Sequence, residues 1–160
     1  MKSLIFIGGT GILGNSFIDY LNKGKLKNIK LSKIIIISRK KKRIKSKVKI
    51  TYINKDLADL KKLPFADYII HAANSKTVKE NIKGVYNLKK IINDKHKKTK
   101  ILFISSGSVY GFRHFKKKFN ENEKIDLKKA LNFKGYKKNY SKSKILLENE
   151  FKKISLKGYN

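Results

Sequence analysis

The sequence predicts an α/β fold with a doubly wound parallel sheet of about five strands. Three observations carry this expectation. Short β-branched apolar runs alternate with helical patterns along the 160 residues. The first run leads straight into a glycine-rich turn, and no repeat or proline-rich linker divides the chain. A chain of this length buries roughly two thirds of its unfolded surface as one domain, so residues 1–160 are expected to form a single unit.

The strand candidates are residues 4–7, 34–37, 68–70 and 101–104, which are apolar throughout, as buried parallel strands are. Val48, Ile50 and Tyr52 alternate with polar residues, which predicts a further strand nearer an edge. Leu13, Phe17 and Leu21 mark a helix that ends near Gly24, and Val78, Ile82, Val85 and Leu88 mark a second. In the third, Tyr140, Lys144, Leu147, Phe151 and Ile154 share one face, apolar except for a single lysine. Residues 112–139 are lysine-rich without a clear period and are expected to form a long loop.

Composition narrows the function classes. No apolar run approaches the roughly 18 residues a membrane span needs, and LIFI at 4–7 runs into glycines instead of a cleavage site. The absence of cysteine removes disulfides and thiolate metal sites and fits the cytoplasm. The three histidines, His71, His96 and His114, have neither metal spacing nor carboxylate neighbours, so no metal is expected. A formal charge of +30 raises nucleic-acid binding as an alternative. Arginine occurs only at Arg39, Arg43 and Arg113, however, and the lysines are spread through every segment, with KKKR at 40–43 as the best local exception. A solvated basic surface is the preferred reading.

The first strand leads into IGGTGILG, where Gly8, Gly11 and Gly14 recur every three residues and Gly9, Gly11 and Gly14 satisfy GxGxxG. Glycines there let backbone N–H groups approach a pyrophosphate, and the following helix directs its positive end at it. A plain tight turn is the alternative; the position after a strand and before a helix favours dinucleotide binding. The second strand ends in Ser38, Arg39 and Lys40, and no acidic residue lies between Asp19 and Asp56. A carboxylate for the ribose 2′-OH of NAD is missing, and cations suit a 2′-phosphate, so NADP is preferred with NAD still possible.

Six segments together resemble the extended short-chain dehydrogenase/reductase family, of NAD-dependent epimerase/dehydratase type, over residues 3 to about 155. They are GGTGILG, KDLAD with Asp56, HAAN at 71–74, NIKGVYNL at 81–88, SSGSVYG at 105–111 and YSKSK at 140–144. The resemblance implies a Rossmann-type fold. It implies cofactor contacts from Gly8, Gly9, Thr10, Gly11, Ile12, Leu13, Gly14, Ser38, Arg39, Asp56, Leu57, His71, Ala72, Ala73, Asn81 and Lys144. His71 is alternatively a packing residue at a strand end. The catalytic set it implies is Ser106, Tyr140 and Lys144.

The chemistry accounts for these residue types. Moving a hydride between an alcohol carbon and a nicotinamide requires a base for the hydroxyl proton. A tyrosine with a pKa near 10 is a poor base until a neighbouring ammonium favours tyrosinate. Tyr140 and Lys144 are one helical turn apart. By resemblance Tyr140 is the acid/base, Lys144 lowers its pKa and holds the ribose hydroxyls, and Ser106 hydrogen-bonds the reacting oxygen. Chance pairing in a lysine-rich chain, and turn roles for Ser105, Ser106 and Ser108, are the plain alternatives.

Gly107 and Ser108 stand where 4,6-dehydratases of the family carry carboxylates, so an epimerase or reductase acting on a nucleotide sugar or related hydroxyl or keto compound is expected instead. Family members continue past LKGYN at 156–160 into a sixth strand and a small substrate domain. The chain is therefore expected to lack the substrate pocket, to leave its fifth strand as an edge, and to be incomplete alone. A homodimer is implied by resemblance, and a noncatalytic NAD(P)-binding module is the main alternative function.

Overall fold

A computed structural model of the chain describes residues 2–26, 28–110, 128 and 132–156. Gly111, Arg113, His114, most of the expected 112–139 loop, and residues 157–160 of LKGYN lie outside the described residues. Five strands, β1 (Lys2–Ile7), β2 (Leu31–Ile37), β3 (Lys49–Ile53), β4 (Tyr68–His71) and β5 (Lys100–Phe103), form one sheet in the order β3-β2-β1-β4-β5. Every pairing is parallel, with Ile5 opposite both Ile35 and Ile69. Among the described residues, the helices α1 (Ile12–Asn22), α2 (Val78–Ile91) and α3 (Gly135–Leu156) accompany them.

The strand order steps outward from β1 to β3 and then returns to β4 on the other side of β1. This reversal opens a crevice at the carboxyl ends of the central strands, where open α/β sheets bind ligands. Alternate residues of β1 feed two cores. Leu4 and Phe6 join Ile34, Ile36 and Ile18 on the α1 face, while Ile5 and Ile7 join Ile35, Ile37, Ile69, Val85, Leu88 and Leu147 beneath α2 and α3. Burial on both faces is why these strands are apolar throughout. The alternating segment is β3, an edge strand, as its pattern predicts.

Four details differ from the sequence reading. The strand expected at 101–104 stops at Phe103, although Ile104 N–H still reaches His71 O at 3.0 Å. In α1, Leu13 is 51% exposed, and Gly14 and Ile18 are buried instead. The first turn of this helix presses its own backbone onto the glycine turn, which rotates Leu13 outward. In α2 the buried face is Asn81, Gly84, Val85 and Leu88, leaving Val78 and Ile82 half-buried on its flank. Residues 135–139, expected as loop, open α3. They are exposed on all sides, so no apolar stripe marks them as helical.

Local chemistry fixes the ends of these elements. Thr77 Oγ1 caps α2 by accepting from Glu80 N–H at 3.2 Å, with Glu80 in the first turn and Lys89 and Lys90 in the last. Asp67 joins the starts of β1 and β4: it accepts from Ser3 N–H at 2.8 Å and from Lys2 Nζ at 2.9 Å. The Lys2 ammonium first, and the Ser3 amide next, hold its carboxyl down at about 2. Strand β5 is the other edge of the sheet, with Leu102 54% exposed beside an apolar groove. No described helix is long and apolar enough to cross a membrane.

Candidate functional site

The glycine turn is shaped by backbone proximity. Gly8 has φ +82°, and a Cβ there would lie 2.7 Å from the Ala73 backbone; at Gly14 it would lie 2.1 Å from Gly9 O. Gly8 N–H bonds Ile37 O at 2.8 Å, and Asn15 Nδ2 clamps the outer limb through Thr10 O and Gly11 O. Thr10 and Ser38 share a 2.6 Å hydroxyl contact that ties the turn to the end of β2. Gly11 caps α1 without a side-chain hydrogen bond, so no side chain occupies the first amides of that helix.

Around this turn opens a cleft of about 460 Å³. It gathers Gly8, Thr10, Gly11, Ser38, Arg39, Asp56, Leu57, His71, Ala72, Ala73 and Asn81, eleven positions singled out from sequence. Gly9, Ile12, Leu13 and Gly14 are outside its lining: the glycines lie under the turn, and Ile12 and Leu13 project to solvent at 86% and 51% exposure. Lys40, Lys55, Asn74, Ser75 and Glu80 also line the cleft. Lys55 opens the KDLAD segment, the signal that could have found it.

Asp56 accepts from Ala58 N–H at 2.9 Å and stands 3.7 Å from Arg39 Nε. Arg39 is exposed and Asp56 half-buried, and at this separation the pair contributes little to stability. Ser38, Arg39, Lys40 and Lys55 line the cleft together with the carboxylates of Asp56 and Glu80. His71 packs against Phe103 and Phe151, which stack on each other at 4.7 Å, with ring distances of 5.7 and 5.2 Å, and its Nδ1, like Asn74 Oδ1, is buried without a hydrogen-bond partner. Burial first, and the Lys144 ammonium second, push His71 down to about 4. A glycine cradle that a side chain would fill, open helix amides and unpaired polar atoms at one crevice fit a dinucleotide.

Asn81 lines the cleft and also holds local backbone in place. Its Oδ1 accepts from Ser75 N–H at 2.8 Å, and its Nδ2 faces Ser75 O, Thr77 O and Ser143 Oγ at 3.1, 2.9 and 3.3 Å. The amide therefore fastens the segment after β4 to α2 and α3. Asn81→Ala strands these groups, and urea unfolding is expected to register a loss of about 1–3 kcal/mol. A change within error of zero would show that water replaces the amide.

Ser106, Tyr140 and Lys144 are outside the described lining of the cleft. Ser106 Oγ accepts from Ser108 N–H at 3.2 Å, closing a turn in the 3-10 segment Gly107–Tyr110. That segment packs on α3 through Val109 and Ile145. Tyr140 is half-buried and stacks on Tyr136 at 6.1 Å. Lys144, only 3% exposed, donates to Ile104 O at 2.8 Å and lies 5.0 Å above the Phe103 ring and 5.6 Å from the Tyr140 ring. The lysine on the apolar face is thus solvated by a carbonyl and two aromatic faces. Burial lowers its pKa, and Glu148 works against that shift. Among the described residues no group of side chains could hold a metal ion.

Residues 4–158 match the profile of the NAD dependent epimerase/dehydratase family. A search of curated proteins returns no significant match. Among solved structures, the fold is similar to UDP-glucose 4-epimerase from Bifidobacterium longum in complex with NAD+ and UDP (TM-score 0.68, 18% identity), covering 97% of this chain and 49% of that one. It is also similar to a dTDP-glucose 4,6-dehydratase from Streptomyces venezuelae with NAD bound (TM-score 0.68, 16% identity), covering 92% and 49%. A third similar fold is UDP-glucose-4-epimerase from Stenotrophomonas maltophila with bound NAD and formylated UDP-arabinopyranose (TM-score 0.64, 16% identity), covering 99% and 50%. The chain spans about half the length of each of these proteins. A profile match from the start of β1 to past the end of α3 settles the kinship: the chain belongs to the NAD-dependent epimerase/dehydratase family.

Proposed function

We propose that residues 1–160 form the NAD(P)-binding domain of an epimerase- or reductase-type oxidoreductase acting on a hydroxyl or keto group of a nucleotide sugar, with NADPH preferred to NADH. The cleft at the glycine turn carries this reading. Its backbone approach at Gly8 accommodates a pyrophosphate, and Ser38, Arg39, Lys40 and Lys55 suit a ribose 2′-phosphate, which an acidic residue at the end of β2 would repel. The nicotinamide supplies and receives the hydride. Tyr140 exchanges the proton of the substrate oxygen, Ser106 hydrogen-bonds that oxygen, and Lys144 stabilises tyrosinate and binds the ribose hydroxyls.

Gly107 and Ser108 offer no carboxylate to assist loss of water, which disfavours 4,6-dehydration. The half-buried flanks of α2 and α3, with Val78, Ile82, Tyr86 and Leu146 along one groove, suit a homodimer. The cysteine-free composition suits the cytoplasm.

Fluorescence titration of the purified chain with NADPH and NADH tests the reading. NADPH is expected to bind more tightly, and Arg39→Ala is expected to weaken NADPH by about tenfold while leaving NADH nearly unchanged. Binding of neither cofactor overturns it. A noncatalytic NAD(P)-binding module is the second reading, favoured by the position of Ser106, Tyr140 and Lys144 outside the described lining of the cleft. Cofactor binding without hydride transfer to any keto nucleotide sugar supplied would select it.

A further inference from the structure

We propose that Glu148, pinned by Ser105, is a positioning residue that keeps the Lys144 ammonium charged and seated on the Ile104 carbonyl. This rests on the role given to Lys144 above. Glu148 lies one helical turn beyond Lys144 on α3, so Tyr140, Lys144 and Glu148 run along one side of the helix at steps of four. The hydroxyl of Ser105, in the segment following β5, donates to Glu148 Oε1. The neighbouring residue, Ile104, supplies the carbonyl that accepts from Lys144 Nζ at 2.8 Å. Two adjacent residues after β5 thus hold two residues of α3, one by each charge.

The surroundings of Lys144 explain why a carboxylate is needed. From β4 it faces His71, and from β5 the Phe103 ring and the Ile104 carbonyl. From its own helix it faces Tyr140 and Glu148. Among these groups Glu148 carries the negative charge, and it is the group that opposes the loss of the Lys144 proton on burial. A neutral lysine would leave its hydrogen bond to Ile104 weaker and would no longer favour tyrosinate at Tyr140. Glu148 therefore acts as a charge at a distance and Ser105 as its clamp.

The test compares the wild-type chain with Glu148→Gln, which can still accept from Ser105 but has lost the charge. The lysine Nζ 15N resonance that Lys144→Met removes is followed against pH. In Glu148→Gln its titration is expected at lower pH than in the wild type. NADPH binding is expected within about twofold of wild type near pH 7 and to weaken on the alkaline side at a lower pH than in the wild type. A purely structural role would lower affinity equally at every pH and leave the resonance in place, and that outcome overturns the proposal. Should Glu148→Gln fold poorly, Ser105→Ala removes only the clamp and is expected to shift the same resonance in the same direction. A wild-type chain that binds no nicotinamide cofactor would instead overturn the proposed function, while the resonance comparison still decides the role of Glu148.

Discussion

Gly14→Ala is expected to destabilise the chain by about 3 kcal/mol or more and to abolish NADPH binding. The new Cβ would stand 2.1 Å from Gly9 O and 2.5 Å from both Gly9 C and Gly9 Cα, all backbone atoms. No rotamer change relieves contacts of that kind. The turn cannot retreat into the sheet, because the Cβ position of Gly9 is already 3.1 Å from Phe6 Cβ and 3.2 Å from Ile36 Cγ1. Moving α1 away instead would break the Asn15 clamp and unpack Ile18, which is fully buried, together with the Phe6–Phe17 edge contact at 5.7 Å. Either relief deforms the amides offered to the pyrophosphate. Gly107→Ala serves as the control, since nothing lies within 4 Å of its Cβ position and stability should be unchanged. Urea midpoints and cofactor titration check both variants; a Gly14→Ala protein with wild-type midpoint and affinity would show that the contact is relieved without deforming the turn.

The same packing explains what the sequence could and could not reveal. The central strands β1, β2 and β4 are covered on both faces and so were visible as apolar runs, β3 at one edge was visible by its alternation, and β5 at the other edge read as an apolar run although Leu102 is 54% exposed. Glycine spacing was legible because backbone contact tolerates no other residue at Gly14. Leu13 misled because periodicity shows which residues could form a stripe, but the turn beneath α1 decides its rotation. Residues 135–139 gave no period because a helix surrounded by water has no face to mark. Lys144 was recognisable as anomalous, yet its partner is a backbone carbonyl at Ile104, which no side-chain pattern encodes. Ser105 and Glu148 lie 43 residues apart and meet only when β5 and α3 are assembled. The motif marked Asn81, but not that its amide bonds Ser75, Thr77 and Ser143, partners that only the fold brings to it.

Stability is expected to fall as pH drops from about 6.5 toward 4, by about 3 kcal/mol, because of His71. Its imidazole is 3% exposed, its Nδ1 has no acceptor, and burial followed by the nearby Lys144 ammonium pushes its pKa down to about 4. A histidine with a lower pKa folded than unfolded takes up a proton more readily in the unfolded chain. Between the two values the unfolded state binds more protons, so acid favours unfolding, and the loss is complete below the folded value. The other depressed groups act elsewhere. Asp67, held at about 2, loses its contribution only as pH falls from its ordinary value of 3.8, and Glu150, lowered by Lys153 and Lys89 against its own burial, loses its contribution below its ordinary 4.5. Lys144, lowered by burial, alters stability only on the alkaline side. Among the described groups with a lowered pKa, His71 is the one that acts in the interval from about 4.5 to 6.5. His71→Leu keeps an apolar side chain against Phe103 and Phe151 and removes the titrating ring. Urea unfolding at a series of pH values should give a midpoint that falls steeply for the wild type in this interval and stays nearly flat for the variant. Parallel curves would show that His71 takes up its proton without opening the core, by finding an acceptor that the folded chain as described does not provide.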